Sequence, residues 1–116
     1  MKIFLDDQKE PTWYHLEPES VCCIRSGEKA LQKAKKHGQP LEILYLDHDL
    51  GEGMSGYTVL AKLVEDFNLP PQKVIIISLN PVGVARIKSL CEYEKIPYEI
   101  HGIDHIDVKI IEGQSG

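Results

Sequence analysis

The sequence predicts an α/β domain built on a mostly parallel sheet, and three observations carry that prediction. Short apolar runs alternate along the chain with segments whose apolar residues recur at helical spacing. One run, Lys73–Ser78 (KVIIIS), is almost continuously apolar, as a central strand covered on both faces must be. Charged and polar residues recur where the runs end, the position at which open parallel sheets gather ligands. At 116 residues the chain fits one domain, residues 1–116.

Each element follows from local chemistry. Lys2–Leu5 (KIFL) is a first strand that stops at two carboxylates. The next stretch, QKEPTWYHLEPE, holds too much Pro for a long helix and is expected as a loop with at most one helical turn. Ser20–Arg25 (SVCCIR) reads as the second strand. Ser26 can cap a helix with the stripe Ala30, Leu31, Ala34, running to about His37 and ended by Gly38. Leu41–Leu46 is the third strand. A helix opening at Ser55 or Gly56 carries Val59, Leu60, Leu63, Val64 and Phe67, and Pro70-Pro71 forbids its continuation. After the fourth strand, Pro81 begins a helix with Val84, Ile87, Leu90 and Cys91, ending near Lys95. Tyr98–His101 is the fifth strand, and residues 102–116 are expected as a short edge strand and a frayed end.

Composition narrows the function classes. Thirteen Lys+Arg against eighteen Asp+Glu leave a net charge of -5, which disfavours a broad nucleic-acid surface. No apolar run approaches the roughly 20 residues that cross a bilayer. Three Cys, with Cys22 and Cys23 adjacent, support neither a disulfide framework nor a zinc site. The opening MKIFLDD has no secretory apolar region, so a reducing, cytoplasmic setting is expected.

The strand ends carry the chemistry. Asp6 and Asp7 follow the first strand, Asp47, His48 and Asp49 the third, Ser78 and Asn80 the fourth, and His101 the fifth. If the first and third strands are neighbours, as in the flavodoxin-like order 2-1-3-4-5, Asp6, Asp7 and Asp47 converge. Carboxylates that close repel one another unless a cation neutralises them, and a shallow, partly hydrated oxygen cup suits Mg2+ or Mn2+. Asp49 is a further candidate ligand.

These residues resemble the receiver domain of response regulators: an acidic pair after the first strand, Asp47 after the third, Met54-Ser55-Gly56 opening a helix, and Ser78 after the fourth. In receivers these positions hold the metal ligands, the phosphate-accepting Asp and the hydroxyl that meets the phosphoryl group. The chain departs by having Gly51 where receivers have Pro, His101 where they have Lys, no full helix in the first crossover and a reduced closing helix. Those departures are similar to a narrower group, the cyclic-phosphate-processing receiver domains. Leu5-Asp6-Asp7, the run Leu46-Asp47-His48-Asp49-Leu50-Gly51, Gly56-Tyr57 and Ser78-Leu79-Asn80-Pro81-Val82-Gly83 carry that likeness. Ile77 stands where the group's HSxNP stretch has His.

Individual roles follow as expectations. Asp47, His48 and His101 are the catalytic candidates, because an imidazole beside carboxylates suits proton transfer or a phosphate contact. Ser78, Asn80, Gly83 and Arg86 are the phosphate-binding candidates, at or one turn inside a helix N-terminus whose free N–H groups attract anions. Trp13 and Tyr14 could stack on a base but are expected to cover the sheet edge left bare by the missing helix. Asp104 and His105 read as solvated tail. Three functions compete: a Mg2+-dependent domain binding or hydrolysing a cyclic or terminal phosphate of a nucleotide or RNA end, a stand-alone receiver phosphorylated on Asp47 and read by a protein partner, and an inactive interaction module.

Overall fold

The computed structural model describes residues 1–51 and 53–102. Five parallel strands make one sheet: β1 (Lys2–Leu5), β2 (Cys22–Ile24), β3 (Ile43–Leu46), β4 (Val74–Ile76) and β5 (Tyr98–Ile100). Their order is β2-β1-β3-β4-β5, as predicted. Three α-helices connect the later strands among the described residues: α1 (Gly27–His37), α2 (Gly56–Glu65) and α3 (Pro81–Glu94). No described helix is long and apolar enough to cross a membrane.

The helix starts are chemical. The Ser26 hydroxyl accepts the Lys29 N–H, the Ser55 hydroxyl accepts the Thr58 N–H, and the Asn80 side-chain oxygen accepts the N–H groups of Val82 and Gly83. Gly38 closes α1 at φ 73°, a left-handed conformation that glycine adopts without steric cost.

Alternation along the strands sorts side chains onto two faces. Ile3, Leu5, Leu44, Leu46, Val74 and Ile76 are buried with Ala30, Leu31, Leu60, Leu63, Ile87 and Leu90 of the helices. Phe4, Tyr45, Ile75 and Ile77 form a separate cluster, completed by Tyr14 from the β1–β2 connection. The Tyr14 ring lies 5.9 Å from that of Phe4, and its hydroxyl donates to the Ile77 carbonyl at 3.1 Å. The Pro-bounded segment thus covers the face that a crossover helix would otherwise take.

Some boundaries differ from the sequence reading. The first crossover contains two short 3-10 turns, Pro11–Tyr14 and Pro18–Ser20, rather than at most one, because each Pro stands at the start of a turn where its missing N–H is not needed. Ser20 therefore belongs to a turn, and β2 is shorter than Ser20–Arg25. Helix α2 ends at Glu65, before Pro70, and Phe67 bonds back to the Lys62 carbonyl in its last turn. Strands β3 and β4 are shorter than predicted, although Ile77 still donates to Leu46 and His101 to Ile76 across the sheet. The predicted edge strand and frayed end, with Asp104 and His105, lie outside the described residues beyond Gly102.

Candidate functional site

Parallel register decides where the strand-end residues emerge. Leu5 of β1 pairs with Leu46 of β3, and Leu46 with Ile76 of β4. Asp6 and Asp47 therefore leave the sheet side by side, and each backbone is still held there: Asp47 N–H donates to the Leu5 carbonyl at 3.0 Å and Asp6 N–H to Ile24 at 3.2 Å. Carboxylate oxygens of Asp6, Asp7 and Asp47 all lie within 4.8 Å of one another. Asp6 is fully buried and Asp47 nearly so, while Asp7 is half-buried.

The three acids form the floor of a pocket of about 500 Å³, lined also by Gln8, Lys9, Trp13, Asp49, Gly51 and Leu79. Gly51 lets the wall come close: at φ 72° a side chain there is strained, and a Cβ would lie 3.1 Å from the Asp7 carboxylate. Asp6 Oδ1 accepts the N–H groups of Gln8 and Lys9, both at 2.9 Å, which curls the chain after β1 into a tight turn. Asp6 Oδ2 makes no directed hydrogen bond, and its neighbour is the Lys9 ammonium at 2.9 Å. The same ammonium stands 3.7 Å from Asp47 Oδ2.

Asp47 Oδ1 accepts the His48 N–H at 2.9 Å and Oδ2 faces Lys9, yet the carboxyl is harder to ionise than a free one. Its pKa is raised to about 6, chiefly by burial and then by the charge of Asp6, against the opposing pull of Lys9, the His48 N–H and the Ser78 hydroxyl. Ser78, buried beside Asp47, also accepts the Asn80 N–H at 3.1 Å.

The predicted phosphate contacts are spread over two places. Asn80 donates to both Asp49 oxygens at 3.3 and 3.4 Å and spends its own oxygen capping α3, so the Gly83 N–H is already bonded. Arg86 sits on the Tyr57 ring, its guanidinium carbon 4.3 Å from the ring centre, in a separate groove between α2 and α3. His48 packs on α3 rather than into the pocket, and its Nδ1 is buried with no hydrogen-bond partner. His101 bonds Glu99 at 2.9 Å at the end of β5. Among the described residues, neither histidine lines the acidic pocket.

Two site residues, Lys9 and Arg25, carry no motif in the sequence. The Arg25 guanidinium donates to the carbonyls of Asp6 and Lys9 and pairs with Glu10, which clamps the turn carrying Lys9. Arg25 is one of only two arginines, placed just after the neighbour of β1, and that was the available signal.

The donor set fits a hard divalent ion. Three carboxylate oxygens, one each from Asp6, Asp7 and Asp47, lie close enough together to share one such ion, and Asp6 Oδ2 is buried with no directed hydrogen bond, its charge met by the Lys9 ammonium. Asp49 lines the pocket but is engaged by Asn80 and lies outside the three-carboxylate cluster.

A solved fusion built on the trimeric coiled coil of yeast Spc42 shares the fold, at 21% identity and a TM-score of 0.62, covering 97% of this chain and 75% of that one. No curated protein matches. The family model described as cyclic-phosphate processing receiver domain matches residues 1–93. The chain, with its acidic pair after β1, Asp47 after β3 and Ser78 after β4, belongs to the cyclic-phosphate processing receiver domain family.

Proposed function

We propose that the chain is a Mg2+-binding (or Mn2+-binding) receiver-like domain that takes a phosphate, cyclic or terminal, of a nucleotide or RNA end into the acidic pocket. The observation that carries this reading is the convergence of Asp6, Asp7 and Asp47 at the floor of a pocket walled by Lys9 and Trp13. Asp6, Asp7 and Asp47 would hold the ion, which supplies charge neutralisation and polarises a phosphoryl oxygen when bound. The chain's own groups do the rest. Lys9 offers an ammonium to a second phosphate oxygen, and Trp13 at the wall offers an aromatic surface to a base. Asp7 is the least buried of the three acids.

This geometry favours binding over hydrolysis. Proton transfer by His48 requires its ring to leave α3, and transfer by His101 requires it to leave Glu99. Incubating the protein with 2′,3′-cyclic nucleotides and Mg2+ tests both arms. Amide NMR shifts at Asp6, Asp7 and Asp47 without turnover fit a binding domain, turnover lost in Asp47→Ala fits an esterase, and neither response overturns the reading.

A second reading, phosphorylation of Asp47 with read-out by a protein partner, is favoured by one observation. Receivers place a Lys after the fifth strand, here His101, yet Lys9, from the turn after β1, brings an ammonium to within 3.7 Å of Asp47. A mass increase of one phosphoryl group after acetyl phosphate with Mg2+, absent in Asp47→Asn, supports it, and an unchanged mass removes it.

A further inference from the structure

Two carboxylates buried side by side are a costly arrangement without a cation. Asp6 has no exposed surface and Asp47 is 5% exposed. Lysine side chains ordinarily lie in solvent, yet that of Lys9 is 12% exposed and reaches both acids, at 2.9 and 3.7 Å. Its backbone and its head group are held by different means. The Lys9 N–H is bonded to Asp6 Oδ1, and its carbonyl is bonded to Arg25, which also holds Glu10. The ammonium, by contrast, hangs on a flexible four-carbon stem and pairs with acid oxygens that a divalent ion would claim.

We propose that Lys9 is the built-in counter-ion of the acidic pocket, exchanging with the divalent cation: its ammonium neutralises Asp6 and Asp47 in the metal-free protein and leaves for the pocket rim when the ion enters. The inference rests on the metal reading above. It adds a consequence that reading lacks. The ion competes with an internal cation, so affinity is set partly by Lys9. The displaced ammonium then adds positive charge at the rim, where Gln8 and Trp13 stand, so an anionic ligand is favoured after the ion has bound.

The test reads Lys9 directly in the wild-type protein. Reductive dimethylation followed by peptide mass spectrometry reports each lysine's accessibility, with exposed Lys36 and Lys88 as internal references. Lys9 is expected to react far more slowly than these without divalent ion, and at a similar rate with saturating MgCl2 but not with NaCl of equal ionic strength. Reactivity like that of Lys36 without Mg2+ overturns the counter-ion role. Continued protection while NMR shows Mg2+ at Asp6 and Asp47 overturns the exchange and leaves the metal reading standing.

Affinity gives an independent reading. Lys9→Met is expected to bind Mg2+ about tenfold or more tightly, because the competing charge is gone. Its melting temperature should fall without metal and recover with it by more than the wild type gains. Lys9→Gln serves if Lys9→Met does not fold. Equal or weaker Mg2+ binding in the variant overturns the proposal. Absence of Mg2+ binding in both proteins overturns the proposal together with the metal reading.

Discussion

The imidazole of His48 lies against Gly83 so closely that a Cβ on Gly83 would come 2.3 Å from His48 Cγ. This contact joins the loop after β3 to the first turn of α3, and a second bridge, Asn80 to Asp49, runs beside it. The residue next to Asp47 is thereby coupled to a helix.

Gly83→Ala tests that coupling. Alanine favours a helix interior by about 1 kcal/mol over glycine, but the new methyl must displace the ring, and overpacking of this kind costs about 1–3 kcal/mol. Net destabilisation is expected in urea unfolding, together with shifted amide resonances at His48 and Asp47. A stabilised variant with unmoved His48 resonances contradicts the packing described.

Asp47 sets a pH dependence. Its folded-state pKa of about 6 lies above the ordinary 3.8, so the folded protein binds this proton more tightly than the unfolded chain. The charged acid then costs stability in full above about pH 6, and the cost disappears as pH falls toward 4. Asp47→Asn should therefore be more stable than wild type at pH 8, by on the order of 1–2 kcal/mol once solvent screening in the open pocket is discounted. The difference should close near pH 4, and equal stabilities across the range would refute it. Saturating Mg2+ at pH 8 should stabilise the wild type more than the variant.

Arg25 organises the turn that carries Lys9. Arg25→Ala removes charge-assisted bonds to two backbone carbonyls and to Glu10, at a cost of about 1–3 kcal/mol. Hydrogen exchange should accelerate at Gln8 and Lys9 more than in α3. Arg25→Lys should recover little, since an ammonium cannot span the three acceptors as a planar guanidinium does.

Tyr14 is expected to be structural. Tyr14→Phe keeps the ring on Phe4 but leaves the buried Ile77 carbonyl without that donor, for a loss of about 1 kcal/mol in thermal or urea unfolding. Ligand binding in the acidic pocket should be unaffected. A large loss of binding with unchanged stability would move Tyr14 into the site.

Legibility from sequence followed the range of the interactions involved. The caps at Ser26, Ser55 and Asn80 bond residues two or three positions away, so helix starts could be placed closely. Strand ends were placed less well, because whether Leu41 or Ile77 extends a strand depends on a partner far along the chain. The missing crossover helix predicts that Trp13 and Tyr14 cover a sheet edge, whereas Tyr14 covers a face of the central strands, packed on Phe4 with its hydroxyl on the Ile77 carbonyl. A Lys near an acidic pair is ordinary in a sequence; the meaning of Lys9 lies in its 12% exposure and its contact with the acid that follows β3. Arg86, a phosphate-binding candidate from its place one turn into α3, instead rests on Tyr57, one helix away.

By itself the chain's order of apolar runs, caps and breakers determined an α/β layer structure, and strand-end acids marked one end of the sheet as the chemical one. Those signals are local, written in spacings of two to four residues. Only the tertiary structure decided that Lys9 enters the acidic pocket while His48 turns to α3. A flexible side chain's direction is set by burial and by charges brought together across strands, and neither exists until the sheet has formed.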